Sequence, residues 1–265
     1  MKHVDPSIYT DKYYETSCEG HEDWVKTHGK FLPDRLDKAF NQVKVRKDMK
    51  VVDFGCGRGE MAYHAAIKGA DVLGVDYSKS SIKLCQKLPK KVKGELKFQL
   101  IDTPKIDVPD NSVDLIYFID VIEHLYPKEV DTVLKEFLRV LKSGGKVVMH
   151  TAPNKEYYDG GYLYYTRWVS ILANATVWKY VFKDHLVDAK SPRDPFDSLS
   201  HINECSLKDV RNFFEKSKFD VKVWYDSSFR FKRIRDKVRF IFIQPQFWFL
   251  KRWFAYDIWA IGTKP

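Results

Sequence analysis

The sequence predicts an α/β fold, in which helices cover a mainly parallel β-sheet. Between residues 50 and 150, short apolar runs alternate with amphipathic helical patterns, and this alternation is typical of βαβ units. A glycine-rich turn directly follows the first apolar run. The chain has 265 residues, of which 44% are hydrophobic, so we expect a folded single domain over residues 1–265.

The order of the predicted elements follows from these patterns. The first five strands are assigned to residues 51–52, 71–75, 96–100, 113–119 and 146–150. Before the fifth strand, apolar residues at helical spacing predict a helix that begins at Pro127 and ends at Gly144 and Gly145. A helix over residues 206–216 and two final strands, at residues 219–224 and 256–262, complete the pattern.

Two insertions interrupt the alternation. Residues 155–200 hold a tyrosine cluster, a predicted helix over 166–182 and a proline-containing loop; a connection this long is expected to be a substrate cap. Residues 226–254 interleave aromatic rings with eight basic and two acidic residues, and so carry most of the net charge of +9. Residues 1–45 are expected to form helices and a lid ahead of the sheet.

The glycine-rich turn and an acid after the second strand indicate a nucleoside ligand. Glycines in the turn 55–59 let the backbone approach a ligand closely, and the helix expected to start at Glu60 favours negative charge at its N-terminus. Asp76 ends the second strand, where a carboxylate can accept hydrogen bonds from both hydroxyls of a ribose. Asp76 alone is equally explained as a turn residue before the helix cap Ser78, but the combination favours a nucleoside site. The GxGxG spacing argues against an NAD-dependent dehydrogenase.

Four segments resemble the ordered motifs of class I S-adenosylmethionine (SAM)-dependent methyltransferases. Residues 51–59 and 74–78 resemble the first two motifs. Residues 101–103 resemble the end of the third strand, and residues 120–125 resemble the motif after the fourth strand. The resemblance, strong over residues 46–153, implies a Rossmann-like seven-stranded sheet with its last strand antiparallel, SAM as the cofactor, and methyl transfer as the reaction.

The resemblance also implies individual roles at the cofactor. Asp53 would orient the turn and approach the methionine amino group, Asp76 would bind the ribose, and Asp102 would meet the adenine amino group. Tyr14 and its neighbour Tyr13 resemble an aromatic lid that covers the sulfonium through a cation–π contact; packing of the pair on the core is the alternative. The cofactor-binding residues expected are Tyr14, Asp53, Gly55, Cys56, Gly57, Asp76, Tyr77, Asp102, Thr103 and Asp120.

Two histidines are candidates for the general base that an acceptor hydroxyl would need. His124 follows the fourth strand, and His201 lies in a segment that resembles a His-x-Asn stretch of surface-glycan methyltransferases. An imidazole can take a proton near neutral pH. For each histidine a structural role in its loop is the alternative, and His150 is expected to be packed.

A metal site is a further alternative at the fourth-strand motif. Asp120, Glu123 and His124 resemble the Glu-x-x-Glu-His metal site of ubiquinone-biosynthesis O-methyltransferases, and such ligands suit a divalent ion. The sequence departs from that site by having the shorter Asp at the first position. The Glu-His pair also occurs in members without metal, so no metal is expected.

The methyl group is expected to pass to a hydroxyl or an amine of a small molecule, a glycan or a lipid-linked compound. Nucleic acid is disfavoured, because the (Asp/Asn)-Pro-Pro-aromatic motif of base-amine methyltransferases is not present at residues 120–123, although the charge leaves an RNA methyltransferase open. A non-catalytic SAM-fold binding protein is the other alternative. Intact Asp53 and Asp76 favour the enzyme.

The charged aromatic stretch 226–254 admits two interpretations. It suits peripheral contact with an anionic membrane surface, or its rings pack on the sheet or on a second subunit of a homodimer. The four cysteines lack disulfide or zinc spacing, and neither a signal peptide nor a membrane span is recognisable. The expectation is therefore a cytoplasmic protein, free or at the inner face of a membrane.

Overall fold

A mixed β-sheet organises the chain in the computed structural model, which describes residues 4–16, 18, 20–175, 196–226 and 250–265. Within these ranges the strands are β1 Lys50–Phe54, β2 Asp71–Asp76, β3 Leu96–Leu100, β4 Val113–Ile119, β5 Leu141–Thr151, β6 Asp220–Asp226 and β7 Asp257–Thr263. Their order is β3-β2-β1-β4-β5-β7-β6. The first five are parallel, and β7 runs antiparallel to β5 and β6.

Helices flank the sheet, and further helices lie at the described ends of the two insertions. The α-helices within the described ranges are α1 Asp11–Thr16, α2 His21–Thr27, α3 Asp34–Phe40, α4 Glu60–Ile67, α5 Lys79–Cys85, α6 Pro127–Val140, α7 Arg167–Ala175, α8 Asp197–Ser200, α9 Leu207–Lys216 and α10 Lys251–Phe254. Two 3₁₀-helices, Pro6–Ile8 and Ile122–His124, and a π-helix, Tyr157–Thr166, complete the set. None of the described helices is long and apolar enough to cross a bilayer.

The core forms two layers, one on each face of the sheet. Successive side chains of a strand point to opposite faces, so Val51 joins one cluster with α4 while Val52 joins the other with α6. In α6 the buried residues Val130, Val133, Leu134 and Phe137 form the apolar stripe that the helical spacing predicts. Burial of the sheet on both faces leaves its carboxyl edge as the place where a site can open.

The seven-stranded sheet with its antiparallel last strand is confirmed, and the helix before β5 is shorter than predicted. It begins at Pro127 as expected but ends at Val140, because Leu141 already pairs with Val113 of β4. The backbone of Gly144 and Gly145 pairs with Lys264, which follows β7 at the end of the chain. The glycines therefore belong to β5: pairing with β4 decides its start, and Lys264, more than 100 residues away, pairs with the glycines.

The first insertion begins with helix at once. The π-helix and α7 cover residues 157–175, so helix begins well before the predicted start at residue 166. A Cβ on Gly161 would lie 1.8 Å from the carbonyl oxygen of Trp253, so this glycine lets the π-helix contact α10 directly. Residues 176–182 of the predicted helix, the proline-containing loop, and residues 227–249 of the second insertion lie outside the described residues.

Candidate active site

Two cavities open at the carboxyl edge of β1, β2 and β4. One has a volume of about 1030 Å³ and the other about 360 Å³, and both are lined by Tyr9, Gly55, Asp76, Tyr77 and Val121. Asp102 and Thr103 line the larger cavity. Tyr14, Cys56, Gly57, Asp120, His124 and His201 line the smaller one. All the residues predicted for the site except Asp53 therefore line one or both of these cavities.

The glycine turn separates the two cavities. Gly55 and Gly57 have φ of +75° and +52°, a region that glycine adopts without the strain of a Cβ. A Cβ on Gly55 would lie 2.4 Å from the side chain of Val121, whereas one on Gly57 would meet only Tyr14, at 3.9 Å. At Gly57 the space that a side chain would fill belongs to the smaller cavity.

Asp76 fixes the turn while lining both cavities. Its two carboxylate oxygens accept hydrogen bonds from the backbone N–H groups of Gly57 and Ser78, at 2.9 and 2.8 Å. Burial raises the pKa of Asp76, although these N–H donors act in the opposite direction. Each carboxylate oxygen can accept a further hydrogen bond, so the group remains suited to a ribose diol.

Asp53 lies beneath the cavity wall. It is 3% exposed, and its carboxylate accepts a hydrogen bond of 3.1 Å from the N–H of Ala62 in the first turn of α4. Burial raises its pKa to about 7, and the Ala62 N–H opposes that rise. The predicted orientation of the turn is consistent with this contact, but Asp53 does not line either cavity where a methionine amino group would bind.

Arg58, which sequence reasoning missed, ties the N-terminal segment to the glycine turn. Its guanidinium donates to the carbonyl oxygens of Tyr14 and Cys18, at 3.1 and 3.3 Å, and pairs with Glu60 at 2.9 Å. The Arg58 and Glu60 side chains are almost fully buried. The backbone of the predicted lid is thus held beside the turn, and the Tyr14 ring faces Gly57. A cation inside a glycine-rich turn is a sequence signal that could have indicated such an anchor.

Asp120 belongs to a partly buried charge network. It has a φ of +56°, lies 3.1 Å from Arg35 and hydrogen-bonds His150, whose other ring nitrogen is 3.2 Å from Asp257. Burial alone would raise the pKa of Asp120, but Arg35 and His150 outweigh it and hold that pKa well below its usual range. Burial alone would lower the pKa of His150, but Asp120 and Asp257 raise it to about 9. His150 is packed, as expected, and carries a charge.

The two candidate bases lie side by side in the smaller cavity. The rings of His124 and His201 are 4.9 Å apart, although 77 positions separate them in the chain. The Nδ1 of His124 is 3.1 Å from the carbonyl oxygen of Ser200, which can only accept, so Nδ1–H donates this hydrogen bond. The Nδ1 of His201 is 4.0 Å from Glu204.

In the alternative metal site of Asp120, Glu123 and His124, the first residue, Asp120, does not lie with the other two ligands. Asp120 is turned towards Arg35 and His150; among the described residues, the ligand atoms that come within 4.8 Å of one another are those of Glu123, His124 and His201. Burial, followed by the charge of Asp120, raises the pKa of Glu123 to about 8. A divalent ion bound by this cluster would therefore have to displace the proton of Glu123.

An aromatic wall lines the smaller cavity, and two of its members, Tyr9 and Phe196, were missed from sequence. Tyr9 packs edge-on against Tyr77 and His124, and Tyr13 stacks on Phe196 with ring centres 4.3 Å apart. These rings come from four separated segments of the chain. Aromatic residues at such distances in sequence give no local pattern that predicts their contact.

The fold and the site together define a SAM-binding methyltransferase. A parallel sheet with an antiparallel last strand, a glycine turn between two cavities and a ribose-type acid at the end of β2 are the elements of that class. Asp76, the turn and Asp102 offer the acids and backbone groups that an extended nucleoside with an amino-acid tail requires. The open space at Gly57 shows that the residues fit such a ligand.

Comparison with known proteins identifies the family. Residues 52–149 match a family model described as "Methyltransferase domain". The ubiquinone biosynthesis O-methyltransferase of Pelagibacter ubique (strain HTCC1062) is 27% identical over 218 residues, which cover 72% of this chain and 83% of that protein. These matches support a class I SAM-dependent methyltransferase, with SAM as the cofactor.

Two further comparisons define the extent of the similarity. Phosphoethanolamine N-methyltransferase 3 of Arabidopsis thaliana is 32% identical over 133 residues, 48% of this chain, and the chain spans 25% of the length of that relative. The structure of a SAM-dependent methyltransferase from Archaeoglobus fulgidus matches with a TM-score of 0.57 and 18% identity, over 96% of this chain and 99% of the other. At that identity the match shows the shared fold.

Proposed function

We propose that this protein transfers the methyl group of SAM to a hydroxyl of a small acceptor bound in the smaller cavity, with His201 as the general base. The observation that supports this proposal is the pair of histidine rings in the smaller cavity. This cavity shares Gly55 and Asp76 with the larger cavity, where the adenine and ribose of the cofactor would bind. A glycan or lipid-linked hydroxyl compound fits the same chemistry.

The cofactor would extend across the glycine turn. Asp102 and Asp76 would bind the adenine and ribose in the larger cavity, and Arg35 offers a cation to the methionine carboxylate in the smaller one. When bound, SAM supplies an electrophilic methyl group on a positively charged sulfur. Tyr14, held near Gly57 by the Arg58 anchor, would place its ring beside that charge.

The base is assigned from the contacts of the two rings. While the acceptor hydroxyl takes the methyl group that SAM would supply, the Nε2 of His201 would accept the hydroxyl proton. Glu204 lies close enough to stabilise the resulting imidazolium. His124, fixed by Ser200, packs against His201 and positions it.

The test is product formation with a panel of acceptors. Catechols, phenols and sugars would be compared with primary amines, and S-adenosylhomocysteine and the methylated product would be measured together. Methylation of at least one hydroxyl compound, abolished in His201→Asn, is the expected result. Turnover with amines alone, or equal turnover in His201→Asn, would overturn the assignment.

An amine acceptor is the second candidate. The rings of Tyr9, Tyr13 and Phe196 line the smaller cavity and suit a cationic group, for which cation–π contacts are favourable. The similarity to a phosphoethanolamine N-methyltransferase supports this candidate. The same panel of acceptors distinguishes the hydroxyl candidate from the amine candidate.

A further inference from the structure

Two separated segments of the chain are hydrogen-bonded to each other beside the paired histidines. One is the 3₁₀-helix Ile122–His124 after β4, and the other is residues 200–203, at the end of the first insertion. The carbonyl oxygen of Glu123 accepts two hydrogen bonds, each of 3.0 Å, from the backbone N–H groups of Ile202 and Asn203. These contacts join parts of the chain that are distant in sequence, and we call the two segments the clamp.

The side chain of Asn203 adds a further hydrogen bond to the clamp. Its Nδ2 donates to the carbonyl oxygen of Ile122 at 3.2 Å. At the other end of the clamp, the Nδ1–H of His124 donates to the carbonyl oxygen of Ser200 at 3.1 Å. His201 lies between these two contacts, so the clamp fixes the backbone from which its ring reaches that of His124.

The Asn203 side chain sets the orientation of residues 200–203 on the loop after β4. Two backbone hydrogen bonds that converge on one oxygen, that of Glu123, restrain the distance of the segment more than its orientation. A third bond, to the carbonyl of the neighbouring Ile122, restrains the orientation as well. Asparagine suits the position, because its amide group donates a hydrogen bond, whereas a carboxylate of the same size only accepts one.

From these contacts we infer that Asn203 is a positioning residue, which holds His201 where its ring can accept the proton of the acceptor hydroxyl. The inference rests on the function proposed above, in which His201 is the general base. A base acts only within hydrogen-bond reach of the proton that it takes, and a displacement of about 1 Å can lower a rate about 100-fold. Loss of the Asn203 amide should therefore act through His201 and leave the donor side unchanged.

Nuclear magnetic resonance of the histidine rings tests this placement without an acceptor. In protein that is deuterated except at histidine, the rings of His124 and His201, 4.9 Å apart, should give a nuclear Overhauser effect, which His201→Asn assigns by its loss. Asn203→Ala and Asn203→Asp should weaken this effect at least about threefold, as expected for a displacement of about 1 Å. The control Asn41→Ala, which removes an exposed amide bonded to the carbonyl of Asp37, should leave it unchanged. No effect in the wild type, or equal effects in the wild type and both Asn203 variants, would overturn the inference.

A double-mutant cycle with His201→Asn distinguishes this inference from the proposed function. With the most active hydroxyl compound of the acceptor panel, Asn203→Ala should lower kcat at least about tenfold when made in the wild type, and less than about twofold when made in His201→Asn, while the affinity for SAM stays within about twofold. Thermal unfolding checks that each variant is folded. Equal losses of kcat in both backgrounds would overturn the positioning role alone. An undiminished kcat in His201→Asn would overturn the proposed function and, with it, this inference.

Discussion

The donor side and the acceptor side of this site are built in different ways. The donor side consists of the turn 55–59, Asp76 and residues 102–103, each at the end of a neighbouring parallel strand. The acceptor side joins Tyr9 to His124 and His201, which come from three distant parts of the chain. Sheet geometry fixes the donor side, whereas the acceptor side depends on packing of the N-terminal segment, and of the chain that follows the first insertion, against the loop after β4. The difference implies that the two sides can be damaged separately.

The largest expected effect is on the acceptor side. His201→Asn should lower kcat about 10²- to 10⁴-fold, because the hydroxyl proton loses its acceptor, while the affinity for SAM changes less than about twofold. Steady-state kinetics and calorimetry measure the two quantities. His28→Asn is the control, since His28 is exposed with a φ of +53° that Asn tolerates. A parallel loss of SAM affinity in His201→Asn would contradict the separation of the two sides.

The next effect is on the donor side. Asp76→Ala should weaken SAM binding roughly 100-fold, since two charge-assisted hydrogen bonds to the ribose are lost. Asp102→Ala, at the more open end of the larger cavity, should cost about tenfold, and the exposed Asp107→Ala should cost nothing. Calorimetric titration of SAM into the three variants measures this order of affinities. Unchanged affinity in Asp76→Ala would show that the cofactor lies elsewhere.

Loss of the Arg58 contacts that hold the N-terminal lid should lower the stability of the protein, and thereby affect both the donor side and the acceptor side. Arg58→Met removes the partner of the buried Glu60 and should lower the free energy of unfolding by about 2 kcal/mol; protonation of Glu60, whose pKa burial already raises, limits the loss. Urea unfolding measures the change, and limited proteolysis should cut the N-terminal segment faster. The exposed Arg46→Met is the control, and equal stability of the two variants would argue against the anchor.

The smallest expected effect is a pH dependence from His150. Because its folded pKa is raised from 6.5 to about 9, its contribution to stability is complete below pH 6.5 and is lost as pH rises towards 9. His150 alone should lower the free energy of unfolding by about 1 kcal/mol between pH 7 and pH 8, and Glu123, with its pKa raised to about 8, lowers it further in the same window. His150→Asn should remove the part that belongs to His150, and an unchanged slope in urea titrations at the two pH values would assign the whole slope to Glu123 and other groups.

The sequence was more informative about the donor side for a physical reason. Asp76 and the turn lie within 22 residues of one another, and the strand rhythm alone brings their ends to one edge. His124 and His201 were each recognised as candidates, but no local pattern indicates that their rings meet. Arg58 and Arg35 act on partners 40 or more residues away, and β5 begins early because Leu141 pairs with Val113 and Gly145 with Lys264. Such long-range contacts depend on the finished fold.

The central claim is that SAM binds across the glycine turn while the histidines serve the acceptor. Titration of SAM into the wild type, Asp76→Ala and His201→Asn, followed by calorimetry, tests it most directly. The account predicts one bound SAM per chain with a Kd below about 1 mM in the wild type, equal affinity in His201→Asn, and loss of binding in Asp76→Ala. No binding by the wild type, or equal loss in both variants, would contradict it.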